Sequence, residues 1–77
     1  MPRHRRALAT TVRELRARRG MTQEQLSHAA GRSRGFVTDL ESGRRGASFE
    51  AIAAVAEALD IPLAELGALF DARLAEQ

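Results

Sequence analysis

Arg34, Thr38 and Asp39 are side chains whose types and spacing suit the reading of another molecule by hydrogen bonds. They lie in the stretch Ser33 to Glu41, where advancing each residue by roughly 100° about a helix axis separates two faces. Phe36, Val37 and Leu40 fall on one side, and Arg34, Gly35, Thr38, Asp39 and Ser42 fall on the other. A short helix that packs by one face and turns a polar, partly cationic face outward is what insertion into the major groove of double-stranded DNA requires. Arg34 is the expected base reader, since its planar guanidinium can make a bidentate contact to guanine, and Thr38 suits a methyl or hydroxyl contact. Asp39 is unexpected among phosphates. It either accepts from a cytosine amino group or orients Arg34 or Arg45.

The neighbouring residues must position that helix. Thr22 followed by Gln25 reads as a capping box opening a preceding helix, whose apolar side carries Leu26, Ala29 and Ala30. Gly31 ends it, supplying the left-handed backbone of a sharp turn, and Ser33 is the expected N-cap of the reading helix 33–41. Upstream, a first helix from about Arg5 or Ala7 to Arg19 shows Leu8, Val12 and Leu15 as its buried stripe and closes at Gly20. Glu14 and Arg18 form an i, i+4 surface pair, and Met21 is placed as a hydrophobic staple. Residues 1–6, with Pro2, His4 and three arginines, read as a flexible N-terminal arm, either merely solvated or reaching for phosphate or the minor groove. Residues 7–77 read as one domain.

Beyond the reading helix, Gly43, Arg44, Arg45 and Gly46 form a loop that would bring the two arginines beside the phosphate backbone. Ser48 is expected to cap a helix from Phe49 to Leu59, with Phe49, Ile52, Val55, Ala56 and Leu59 facing the core. Pro62 opens a last helix, 62–75, carrying Leu63, Leu66, Phe70 and Leu74 with Leu69 beside them. A chain of 77 residues has little left to bury there. Leu66, Leu69, Phe70 and Leu74 are therefore the expected dimer interface, the alternative being that this helix folds back wholly onto its own domain.

Composition narrows the function classes. From Met1 to Ala47 there are eleven arginines against four acidic residues, and from Ser48 to Gln77 one arginine against six. A basic front half suits a polyanion, while the acidic back half suits solvent or a partner protein. Cysteine is absent, which leaves no disulfide frame and no thiol metal site. His4 and His28 are the only histidines, and no metalloprotease or phosphate-loop pattern occurs, so no catalytic residue, metal, cofactor or small-molecule ligand is expected. The longest apolar run, Ala51 to Ala56, falls far short of the ~20 residues of a membrane span. A cytoplasmic protein, not an enzyme, is the expectation.

With these residues in view, the chain resembles the Cro and phage-repressor type helix-turn-helix family, also called the xenobiotic-response-element family of bacterial regulators. The carrying segments are Arg13 to Ser27, Ala30 to Arg34 and Leu40 to Arg45, and the match runs from about Leu8 to Leu66. In length and layout the chain also looks like the controller proteins of restriction and modification systems. The resemblance implies an all-α, five-helix lambda-repressor-like domain acting as a homodimeric, sequence-specific transcription regulator on a pseudo-palindromic operator. It implies that Gln23 contacts phosphate and braces a reading side chain. Arg34, Gly35, Thr38 and Asp39 would face the groove, with Ser33 and Phe36 near the DNA backbone. Arg16 and Glu41 would form a buried ion pair. Two departures stand out: Gly35 replaces a side-chain-bearing reader, and Gly46-Ala47 replaces a frequent Asn-Pro. A second reading is an antitoxin or protein-interaction adaptor that uses the acidic C-terminal helices.

Overall fold

Capping residues and left-handed turns divide the chain into five helices without strands, as described by a computed structural model of Met1 to Gln77. They are α1 (Arg3–Arg18), α2 (Gln23–Ala29), α3 (Phe36–Glu41), α4 (Phe49–Ala58) and α5 (Leu63–Ala75). The capping box of α2 is complete. Thr22 Oγ1 accepts from the Gln25 amide at 3.0 Å while the Thr22 amide donates to Gln25 Oε1 at 2.8 Å. Ser48 Oγ accepts from the Ala51 amide at 3.1 Å and starts α4. Gly31 turns the chain out of α2 at φ 69°, and Asp60 does the same after α4 at φ 59°, a conformation its short polar side chain tolerates.

Eleven buried residues drawn from all five helices make the core: Val12 and Leu15 of α1, Leu26 of α2, Phe36, Val37 and Leu40 of α3, Ala51, Val55 and Ala56 of α4 with the adjoining Leu59, and Leu66 of α5. Each fully buried leucine or valine contributes about 1.5–3 kcal/mol relative to exposure, which for so small a domain makes every one of them count. No helix is long and apolar enough to cross a membrane.

Four expectations are corrected here. Residues 3–6 are the first turn of α1 rather than an arm. Pro2 presets the N-cap backbone, Arg3 Nη2 donates to Leu74 O at 3.2 Å, and Arg5 Nη1 donates to Arg44 O at 3.2 Å. In α1, Leu8 is only half-buried, and Ala7 and Thr11 are buried beside Val12. In α4, burial begins at Ala51. Phe49, at the first helical position, projects past the core and is 78% exposed. Leu66 belongs to the core at 2% exposure, so it offers almost no surface of its own to a dimer contact.

The same geometry explains why α5 lies back on α1. Arg73 reaches across and makes a fork with Glu14, Nε to Oε1 at 2.8 Å and Nη2 to Oε2 at 3.2 Å. Leu69 packs half-buried against the core, and Phe70 and Leu74 are also half-buried. What remains open is an apolar groove in which Phe49, Ile52, Leu63 and Phe70 line the walls and Leu66 forms part of the lining.

Candidate nucleic-acid interface

A six-residue helix such as α3 has no stability of its own, so its neighbours must fix its position. The first anchor is Ser27, fully buried on α2. Its Oγ accepts from the Val37 amide at 3.0 Å and donates to Gln23 O at 2.9 Å. The expected capping role of Ser33 is thereby supplied from the preceding helix. Ser33 contributes its carbonyl, accepting from the Phe36 amide at 3.0 Å, so Ser33, Arg34 and Gly35 form a turn before α3 rather than its first turn. Low helix propensity at Gly35 accords with that shortening.

The second anchor is Glu41, which ends α3 with only 5% exposure. Arg16 Nε donates to Oε2 at 2.6 Å and Nη2 donates to Oε1 at 3.0 Å, a bidentate fork linking α1 to α3. The fork holds the Arg16 guanidinium above its ordinary pKa, against the desolvation that would lower it. Arg16 Nη1 also donates to Met21 O at 2.7 Å, and Arg13 Nη2 donates to the Glu41 carbonyl at 3.0 Å. A cation at the carbonyl end of a helix is favourable in charge as well as in hydrogen bonding.

From Glu41 the network continues outward to the surface. Gln23 Nε2 donates to Glu41 Oε1 at 3.0 Å, and Gln23 Oε1 accepts from Thr38 Oγ1 at 2.9 Å. Gln23, Arg34, Gly35, Thr38 and Asp39 line one shallow polar concavity together with Thr22 and Glu24. A Cβ built on Gly35 would meet nothing within 4 Å, so packing does not demand glycine there. Arg34 is 85% exposed along its side chain, and its Nε donates to Glu24 Oε2 at 2.9 Å. Asp39 pairs with Arg44, Oδ1 to Nη1 at 3.5 Å, which corrects the expectation that it orients Arg34 or Arg45.

Phe36 is also corrected. Its ring is in the core at 4% exposure, so its side chain cannot lie against a DNA backbone. It serves instead as a platform: the Arg45 guanidinium carbon lies 4.8 Å from the ring centroid and that of Arg32 lies 5.8 Å away. Arg32 and Glu24 went unmarked in the sequence. Arg32 sits in a turn where no periodicity operates, and Glu24 reads as an ordinary first-turn acid until the fold places Arg34 beside it. Ser33, Arg44 and Arg45 are exposed at the edges of the same surface. The apolar groove belongs to α1, α4 and α5 instead, and of Leu69, Phe70 and Leu74 only Phe70 lines it.

Residues 7–69 match the helix-turn-helix domain family. No curated protein matches the sequence. Among solved structures the chain is similar to the clp gene regulator ClgR from Corynebacterium glutamicum, at 34% identity and a TM-score of 0.88 over 99% of this chain and 81% of that one. It is also similar to the restriction-modification controller protein C.AhdI from Aeromonas hydrophila, at 37% identity and a TM-score of 0.76 over 80% of this chain and 94% of that one. The controller protein C.Esp1396I superimposes with a TM-score of 0.88 at 15% identity, over 96% of each chain, a likeness of fold alone. With the motif, the buried ion pair and the family match in agreement, this chain belongs to the helix-turn-helix domain family and has the fold of Cro-type DNA-binding transcriptional regulators.

Proposed function

We propose that the chain is a sequence-specific transcription regulator that binds a pseudo-palindromic operator as a homodimer. The observation that carries this reading is the concavity shared by α2 and α3, which gathers Gln23, Arg34, Gly35, Thr38 and Asp39 on one exposed surface while Glu41 anchors α3 from behind. Arg34 reads guanine through its guanidinium fork, and Thr38 contacts a neighbouring base. Ser33, Arg44 and Arg45 hold phosphates, with the Arg45 guanidinium steadied over Phe36. Asp39 restrains Arg44, and Gln23 both braces Thr38 and lies at the N-terminus of α2 where a phosphate is favoured.

The homodimer rests on the groove of Phe49, Ile52, Leu63 and Phe70. A phenylalanine 78% exposed on the wall of an apolar groove suits a two-fold contact. Two reading surfaces related in this way would address half-sites ~34 Å apart on one face of the duplex. On this reading the chain acts in the cytoplasm as a binding protein and needs no cofactor. The same exposed phenylalanine also motivates the adaptor reading, in which a different chain occupies the groove.

Fluorescence anisotropy tests the proposal on DNA from upstream of the protein's own gene and on a scrambled duplex, from about 50 to 200 mM salt. Tight, salt-steep binding that prefers the upstream fragment, or a fragment selected from random DNA, supports it. Weak and equal binding to every duplex, with a second protein copurifying from native cells, transfers the reading to the adaptor.

A further inference from the structure

Two acids lie in the concavity that faces DNA in the proposed function, and each is paired to an arginine: Asp39 to Arg44 and Glu24 to Arg34. The second pair joins the first turn of α2 to the turn before α3, and both side chains are well exposed. Exposed pairs contribute little to stability, so holding the fold does not account for it. What the pair does control is the direction of the guanidinium. An arginine meets guanine O6 and N7 through two parallel N–H groups, either the Nε and Nη edge or the two Nη groups at its end. Glu24 Oε2 already occupies Nε at 2.9 Å, which leaves the end-on pair of Nη groups free.

We propose, resting on the DNA-reading function above, that Glu24 is a specificity-determining positioning residue that presents Arg34 to guanine end-on and disfavours its use as a general phosphate contact. The second effect follows from charge. An approaching phosphate meets the Arg34 cation already compensated and a carboxylate beside it, whereas a guanine edge carries partial charges only and tolerates that carboxylate. Glu24 thus lowers affinity for DNA in general more than it lowers affinity for the correct site, which is a repulsive contribution to specificity.

The test measures binding of Glu24→Gln and Glu24→Ala on two probes: the tightest duplex selected from random DNA with the wild-type protein, and a scrambled duplex of equal length. Both variants should bind the scrambled duplex more tightly, with a salt slope steeper by up to about 0.9 as Arg34 gains a phosphate. The preference for the selected duplex should fall by roughly tenfold or more, a fraction of what a bidentate base contact discriminates. In the Arg34→Ala background the Glu24 substitutions should leave that preference unmoved, and thermal midpoints should stay near wild type throughout. An unchanged preference in Glu24→Gln and Glu24→Ala, or an equal change with and without Arg34, overturns the proposal while leaving the DNA-reading function standing. Failure of the wild-type protein itself to prefer any selected duplex overturns both.

Discussion

Replacing Glu41 with alanine removes a carboxylate that is 5% exposed and accepts three side-chain hydrogen bonds, two from Arg16 and one from Gln23. Bonds to a charged group contribute about 1.5–3 kcal/mol each, but summing them overcounts. Arg16 keeps its bond to Met21 O at 2.7 Å, and its side chain is 19% exposed, so water reaches part of the stranded guanidinium. The expected loss is therefore about 3 kcal/mol, the lower end of the cost of leaving one partner of a buried pair alone. A domain of 77 residues has about 4–12 kcal/mol in all, so this is a large fraction. Urea unfolding followed by circular dichroism reads it directly. At an m-value of about 1 kcal/mol per molar, the midpoint moves down by roughly 3 M with m unchanged. The double variant Arg16→Met with Glu41→Leu supplies the control, because replacing both charges with apolar groups of similar volume leaves no charge stranded. Although Gln23 Nε2 and Met21 O lose a partner, it should lose less than Glu41→Ala alone. A loss below about 1 kcal/mol for Glu41→Ala would refute the reasoning by placing the pair among exposed ion pairs.

Arg44→Ala should weaken binding to selected and scrambled duplexes alike and reduce the salt slope by about 0.9, the signature of one lost phosphate contact; a loss confined to the selected duplex would make Arg44 a base reader instead. Phe49→Ser should shift sedimentation from dimer toward monomer with helical content retained, because the ring is 78% exposed in the single chain. Unaltered sedimentation would remove the groove from the dimer contact. Glu14→Gln should destabilise the protein only above acid pH. Hydrogen bonds from Arg73, then its charge, hold the Glu14 carboxyl below its ordinary value of 4.5, so its stabilisation is present above that value and is lost as pH falls through the folded-state pKa. Wild-type and variant melting temperatures should differ at neutral pH and converge once the pH has fallen through the lowered folded-state pKa.

What the sequence made legible was local chemistry. Thr22 with Gln25, Ser48 with Ala51, and the glycine after α2 act on backbone within a few residues, so composition alone marks them. Periodicity also found Val12, Leu26, Leu40 and Val55, since a helix must bury one stripe. It could not say where along the helix burial begins, which is how Phe49 came to be exposed. Nor could it see groups that act across the fold. Ser27 caps a helix ten residues on, Arg5 holds carbonyls 38 and 39 residues away, and Arg73 closes on a glutamate 59 residues away. Arg16 and Glu41, 25 residues apart, were visible only through the family resemblance. The basic front half is likewise less free than its composition suggests. Arg5, Arg13 and Arg16 spend donors on the end of α3 and the turn after it, so much of that positive charge is structural.

The hub at Glu41 makes the reading surface depend on a group that never touches it. Thr38 donates its hydroxyl proton to Gln23 Oε1, so it faces outward with acceptor lone pairs and a methyl group; that orientation holds only while Gln23 turns its amide nitrogen toward Glu41. In Glu41→Gln the oxygen should be retained at the Oε1 position, which accepts from both Arg16 Nη2 and Gln23 Nε2, and the new amide nitrogen takes the Oε2 position, where it meets only Arg16 Nε. Gln23 then keeps its orientation and so does Thr38. Glu41→Ala instead removes the acceptor and frees Gln23 to invert and offer its nitrogen to Thr38, whose hydroxyl proton is then released outward. The surface at that point gains a donor without any substitution on it. Selection from random DNA should accordingly recover the wild-type site with folded Glu41→Gln protein and, with folded Glu41→Ala protein, a site relaxed at the base that Thr38 meets, with the Arg34 guanine retained. Recovery of the wild-type site at full preference by both variants would mean that Thr38 reads by its methyl group alone and that the hub is structural only.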